Sequence, residues 1–239
     1  MSTSVLTPKA AAQERSLVER YARMANEGLE HRRVDPLLRM LDVAVAAVAL
    51  FVLLPVLAVA AVAVRVTSRG PVLYRGLRVG KGGHLFTMVK FRTLKHEAES
   101  RLGPYLGLEL TQLTAVEQTL VGRWLRATHV DELPQLWNVL RGEMSLIGPR
   151  PIRPLFFETL CSGTPAYWQR MVVAPGMTGL AQLRLTREAS WEDKLAHDLE
   201  YVADRSLSLY LSVAGATLWR VAGRLSGARP AALASSTDR

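Results

Sequence analysis

Asp131 and Glu132 stand side by side, ahead of Leu133-Pro134-Gln135-Leu136-Trp137-Asn138. Proline is tolerated in a first helical turn, so a helix is expected to start close to Asp131. A helix N-terminus favours an ionised carboxylate. Successive helical residues point about 100° apart, so one carboxylate could attack an electrophile while the other holds a metal ion. Two capping acids would explain the same pair without chemistry. Lys90 and Arg92 end a β-like run, and alternation puts both cations on one face. Such a pair suits a phosphate or diphosphate, and equally a solvated strand face. Arg150 lies between Pro149 and Pro151, with Gly148 before them. Its backbone is therefore stiff, as bidentate phosphate binding by an arginine requires, although a structural turn has the same composition. The segment Pro175-Gly-Met-Thr-Gly-Leu-Ala-Gln182 reads as a loop with two glycines. Asp198 and Tyr201 sit one helical turn apart on a shared face. Cys161 is the single cysteine, which excludes an internal disulfide and fits a reducing compartment. It has no neighbouring His or metal-type spacing and reads as inert.

These side chains need a scaffold. The chain has 239 residues, 49% hydrophobic and 21% charged, which suffices for one compact domain and excludes a disordered chain. Its net charge of +9 suits an anionic partner: nucleic acid, lipid headgroups or a phosphorylated substrate. From Val43 to Val64 there is no charged residue. As a straight helix this run would reach about 33 Å, enough for a hydrocarbon core. It starts too far from the N-terminus for a secretory signal. Arg32, Arg33 and Arg39 precede it, and Arg65, Arg69, Arg75, Arg78 and Lys81 follow. Basic flanks mark the cytoplasmic side, and both flanks are basic. Pro55 lies mid-run, where it bends a helix. These features admit either a re-entrant hairpin or a single span with a transmembrane proline.

Residues 66–95 read as turns and short strands, with Gly80-Lys-Gly-Gly as a hairpin signal and no P-loop ending. Beyond Lys95 the pattern is helical, with breaks expected at Pro104, Gly122, Pro134 and residues 148–154. Residues 207–225 form an amphipathic helix with Leu207, Tyr210, Leu211, Ala214, Leu218, Val221, Ala222 and Leu225 on one face. It could dock on the core or lie in a membrane interface. Residues 13–33 suggest a short helix. Residues 1–12 and 226–239 read as frayed termini.

Taken in order, these segments resemble the monotopic phosphoglycosyl transferases, also called bacterial sugar transferases. The resemblance runs from about Arg39 to Leu225. It is carried by DELPQLWNVLRGEMSLIGPRP at 131–151, RVGKGGHLFTMVKFRTL at 78–94, PGMTGL at 175–180 and DLEYVADRSL at 198–207. It implies an α/β fold, mostly helical with a small β-hairpin element, and not a Rossmann sheet. A re-entrant membrane helix over 36–66 would be bent at Pro55, with interfacial amphipathic helices beside it. An N-terminal extension would cover 1–35, the catalytic sugar transferase domain 67–225 and a flexible tail 226–239. The short catalytic-core form of the family is expected, at the bacterial inner membrane with its domain on the cytoplasmic face.

The resemblance also implies chemistry. Asp131 would be the nucleophile and Glu132 the ligand of Mg2+. Lys90, Arg92, Arg150, Asp198 and Tyr201 would bind substrate. The substrates would be a UDP-sugar and polyprenyl (undecaprenyl) phosphate, with membrane lipid as a further partner, no nucleic acid, and a homo-oligomer left open. Three positions depart from the family pattern: Leu54 precedes Pro55 where a serine is usual, Arg184-Leu-Thr-Arg187 replaces a Gly-Arg, and Tyr210 stands where an Asp is common. A membrane adaptor that keeps the fold without catalysis is the main alternative. A nucleic-acid binder is suggested by charge alone, and no helix-turn-helix or aromatic-basic motif supports it.

Overall fold

The computed structural model describes residues 32–95, 98, 107–186 and 189–225. The expected helix at 13–33, the termini, the break at Pro104 and the position of Arg187 lie outside that set or at its edge. The described chain is mostly helical, with two small two-stranded sheets.

The apolar run folds as two helices, α1 (Asp35–Val52) and α2 (Leu54–Thr67), meeting at 63° around Leu53. Pro55 sits in the first turn of α2, where its missing N–H costs nothing. Among the described residues no single helix is long and apolar enough to cross a membrane, but the bent pair together is. One side of the pair is buried through Ala46, Ala60 and Val64, while Val48, Phe51, Val59 and Val62 are exposed. Two polar residues of α1 tie it to the rest of the protein. Arg39 donates to the carbonyls of Val139 and Leu140 at 2.7 and 3.0 Å. Asp42, buried, accepts from the Leu146 amide at 2.9 Å and the Tyr210 hydroxyl at 2.6 Å.

The expected hairpin is present as β1 (Leu73–Val79) and β2 (Leu85–Phe91), antiparallel, with Tyr74 opposite Lys90. Its turn needs Gly82 and Gly83, both with positive φ (66° and 84°). Helix α3 (Gly107–Glu117) follows, then α4 (Leu120–Thr128). Gly122 does not break the helical pattern: it lies in the first turn of α4, where any Cβ would collide with the Thr93 carbonyl. The boundary falls at Thr119, whose hydroxyl caps the Gly122 amide at 2.9 Å.

No helix starts at Asp131. A 3-10 turn spans Val130–Glu132, and α5 (Gln135–Arg141) begins only after Pro134. The segment read as a loop at 175–182 contributes a strand, β4 (Gly176–Thr178), which pairs in parallel with β3 (Ser145–Ile147). Between them lie α6 (Pro154–Gly163) and a 3-10 stretch at Pro165–Val172. The described residues close with α7 (Leu180–Arg184), α8 (Trp191–Asp204) and α9 (Leu207–Leu225). α9 docks on the core through Tyr210 and Val213, which are buried, whereas Leu211 and Leu218, expected on the same face as Tyr210, are exposed together with Trp219, because the packed stripe is narrower than the apolar one.

The core is a chain of four apolar clusters. One joins the hairpin's closed end to α6 and the 3-10 stretch through Val79, Phe157, Tyr167 and Trp168. Another packs α1 and β2 on α5 through Ala46, Phe86, Met88 and Val139. The second of these seats the segment after Asp131 against the strand that carries Lys90. Cys161 is half-buried against the first cluster, consistent with a packing role.

Candidate active site

Asn138 decides where the Asp131–Glu132 turn lies. It is buried on α5 and treats the β2 backbone as a strand partner would. Its amide donates to the Thr87 carbonyl at 2.8 Å, and its oxygen accepts from the Val89 amide at 3.0 Å. A second donation reaches Glu143 at 2.6 Å. These bonds hold α5 edge-on to β2, one residue from Lys90. At the far end of α5, Arg39 and a left-handed Gly142 satisfy the last carbonyls.

The dyad is electrostatically unequal. Asp131 is 5% exposed. Burial first, and then the adjacent Glu132, push its carboxyl up to about 6, against the pull of Lys90, Arg126 and Arg150. The sequence expectation of a carboxylate kept ionised by a helix terminus is therefore reversed, because the turn supplies burial instead of a helix end. Burial raises Glu132 too, but Arg150, His129 and Lys90 outweigh it and hold that carboxyl below its ordinary value. Arg150 approaches Glu132 at 3.3 Å. Two adjacent acids whose pKa values are driven apart can take different roles.

Beside the dyad lies an open groove of about 670 Å³. Arg75, Lys90, Arg92, Lys95 and Arg126 line it, together with the Pro71–Tyr74 backbone run that follows α2. Lys90 lies 4.8 Å over the Tyr74 ring, which fixes the ammonium by a cation–π contact. Arg126 donates its Nε to the Thr93 hydroxyl at 2.8 Å. Lys90 and Arg126 thus line the groove and act on Asp131 at once. A positive groove beside paired carboxylates can hold a phosphorylated ligand and present it to an acid.

The remaining expected residues fall in four places. Arg92 lines the groove, yet its terminal nitrogens bond the Ser68 and Arg69 carbonyls and the Ser68 hydroxyl, fastening the end of α2. Asp198 and Tyr201 do not line the groove. Asp198 is buried in an ion pair with Arg170 at 2.6 Å. Tyr201 donates to the Ile147 carbonyl at 3.1 Å. Both lie under the backbone of 147–150. Arg184 bonds Glu200 at 2.6 Å on an exposed face. Pro55 stands at the bend of the helix pair.

Sequence reasoning missed Arg126, Asn138 and Arg170. Arg126 alone had a local signal, a cation just before the acid pair. Among the described residues no three His, Cys, Asp or Glu side chains cluster as a metal site.

Comparison with known proteins gives the family. The profile of the bacterial sugar transferases matches residues 34–224. A UDP-glucose:undecaprenyl-phosphate glucose-1-phosphate transferase of Caulobacter vibrioides is 41% identical over 179 residues, 73% of this chain and 65% of that protein. A UDP-N-acetylgalactosamine-undecaprenyl-phosphate N-acetylgalactosaminephosphotransferase of Aeromonas hydrophila is 36% identical, covering 73% of this chain and 40% of that protein. An exopolysaccharide production protein of Rhizobium leguminosarum is 36% identical across 73% of this chain and 90% of its own length. The match thus spans less than two thirds of the first two relatives. The family profile takes in both helices of the apolar pair, the hairpin, the dyad and nearly all of α9, and the chain belongs to the bacterial sugar transferase family.

Proposed function

We propose that this protein transfers a sugar-1-phosphate from a UDP-sugar to undecaprenyl phosphate, as the names of its relatives describe for them, in two steps through Asp131. The observation that carries the reading is the buried Asp131, flanked by Glu132 and by Lys90, Arg126 and Arg150. In the first step an Asp131 carboxylate oxygen attacks the β-phosphorus. The bond from that phosphorus to the bridging oxygen breaks, and UMP leaves with the electron pair. In the second step an oxygen of undecaprenyl phosphate attacks the same phosphorus, and Asp131 is released as carboxylate. Splitting the transfer keeps two anionic substrates from having to meet in one step. Lys90, Arg126 and Arg150 offset the charge that remains.

The donor set fits magnesium. Mg2+ is commonly held by one or two carboxylates with substrate phosphates and water, and two hard oxygen donors here sit close enough to repel each other. Glu132, with Asp131 beside it, would hold the ion, which supplies charge neutralisation at the diphosphate.

The bent pair reads as a re-entrant hairpin that enters and leaves the cytoplasmic leaflet, since basic residues flank it on both sides. The exposed Leu211, Leu218 and Trp219 of α9 fit an interfacial position. The sugar and the glycan are matters for a substrate panel, with exopolysaccharide assembly the pathway class suggested by the Rhizobium relative.

The test is a single-turnover reaction. Protein in lipid nanodiscs with UDP-sugar and Mg2+, without undecaprenyl phosphate, is expected to release one UMP per site. The peptide holding Asp131 should gain the mass of a sugar-phosphate. Asp131→Asn should abolish both, and Glu132→Gln should weaken the metal dependence. Near wild-type product formation by Asp131→Asn would sink the covalent mechanism. UMP release that requires undecaprenyl phosphate would favour direct transfer.

A further inference from the structure

The backbone that presents Arg150 is pinned at four carbonyls by four different elements. Tyr201 of α8 donates to Ile147, the Gly176 amide of β4 to Pro149 at 2.8 Å, and the Val79 amide of β1 to Ile152 at 3.0 Å. The fourth pin differs in kind. The carbonyl of Arg150 itself accepts from the Arg170 guanidinium at 2.9 Å. That donor is a buried cation, with its side chain 6% exposed. The same Nη2 meets Asp198 at 2.6 Å, and Asp198 is 4% exposed. The Tyr167 ring lies against the guanidinium, 5.1 Å from centroid to Cζ, and its hydroxyl accepts at 3.4 Å.

A buried ion pair is an expensive way to satisfy one carbonyl. Desolvating two charges commonly cancels their attraction, and an apolar pair of like volume would often leave the fold as stable or more so. What the apolar pair could not do is donate to the Arg150 carbonyl. The side chain whose backbone it grips is the exposed guanidinium, which reaches Glu132.

We propose that Arg170, oriented by Asp198, is the positioning residue for Arg150: it fixes the backbone from which that guanidinium reaches the diphosphate of the nucleotide-sugar. This rests on the function proposed above. It also reassigns Asp198 from substrate contact to support, two bonds removed from the ligand. Arg170 does not touch substrate. Its contribution passes through the Arg150 carbonyl and is absent when Arg150 has no guanidinium to aim.

The test is a coupling measurement in nanodiscs, following UMP release. Arg170→Lys keeps a cation but loses the planar group whose Nη2 serves both Asp198 and the carbonyl while Nη1 is held at Tyr167. It is expected to lower kcat/KM for UDP-sugar about tenfold, mainly through KM, in the otherwise native protein. In an Arg150→Ala background the same change should cost less than twofold. Arg170→Met with Asp198→Leu removes both buried charges together and guards against misfolding. That pair should melt near the native temperature yet show the same tenfold loss, again only with Arg150 present. Equal losses with and without the Arg150 side chain would make Arg170 a general structural residue and overturn the inference. So would wild-type kinetics in the folded Met/Leu pair. Failure of the native protein to release UMP from any UDP-sugar would overturn the proposed function, and this inference with it.

Discussion

Replacing Asp131 by asparagine should make the protein more stable, by an amount that depends on pH. Asp131 is 5% exposed, and burial, followed by the Glu132 charge, lifts its pKa from 3.8 to about 6. An acid whose pKa is raised by folding favours the fold while protonated and loses that favour as pH rises through the folded value. Below pH 3.8 the carboxyl is neutral in both states, and aspartic acid and asparagine differ little. Between 3.8 and 6 the unfolded chain ionises while the fold resists. Above 6 the buried charge is present at its full cost. At about 1.4 kcal/mol per unit, this difference is about 3 kcal/mol. For a chain of this size that is roughly 6–12 °C in melting temperature. The assay is thermal unfolding in nanodiscs from pH 4 to pH 8, with a chelator present because a bound cation would offset the like-charge repulsion. Asp131→Asn should match the native protein near pH 4 and melt well above it at pH 8. A pH-independent gap, or a less stable variant at pH 8, would refute the assignment of burial as the dominant influence on Asp131.

Three further outcomes follow from the structure. Arg150→Lys keeps the charge and loses the planar fork, so kcat/KM should fall at least about tenfold, or about 1.4 kcal/mol of transition-state stabilisation, and native rates would demote Arg150 to a turn residue. Asn138→Leu strands the Val89 amide and the Thr87 carbonyl, at about 1–3 kcal/mol each, so unfolding should show a loss of about 3 kcal/mol, and a loss under about 1 kcal/mol would contradict the pinning described. Cysteines introduced near residues 10 and 230 should both react with a membrane-impermeant reagent from the cytoplasmic side alone, whereas labelling from opposite sides would establish a full span.

What the chain revealed before folding was local. An uncharged run with one internal proline announces a bent apolar helix pair, because composition alone sets that preference. Gly80-Lys-Gly-Gly announces the hairpin, because Gly82 and Gly83 occupy backbone angles other residues avoid. The acid pair and the proline-bracketed arginine stood out as candidates by residue type alone, and the structure brings Glu132 and Arg150 within 3.3 Å of each other. The dyad's environment was not legible. Pro134 marks a helix start, but it closes a 3-10 turn before α5, and whether that turn is buried depends on β2, some 40 residues earlier. Arg170 and Asn138 looked unremarkable because the backbone groups they hold, at Arg150, Thr87 and Val89, lie 20 to 51 residues away, outside any periodic pattern. The β3–β4 pair, three residues per strand, is too short for alternation to register. Asp42 is the instructive miss: a carboxylate at the mouth of an apolar run must find donors, and it finds them 104 and 168 residues on.

Arg39 and Asp42 lie one turn apart on α1, and between them they terminate α5 and hold the start of β3 and the buried face of α9. A cut made after Thr67 would therefore strip the remaining chain of partners it uses on three elements. Such a fragment would leave two helix-end carbonyls, the Leu146 amide and the Tyr210 hydroxyl without partners. It would also uncover the apolar side of α5 that Ala46 now covers. The bent apolar pair and the candidate site share one folding unit, so a preparation meant to test the proposed function should keep the pair and shield its exposed apolar side. Conversely, α1 bonds directly to elements on either side of the dyad, so under the proposed function a shift of α1 is expected to reach the site.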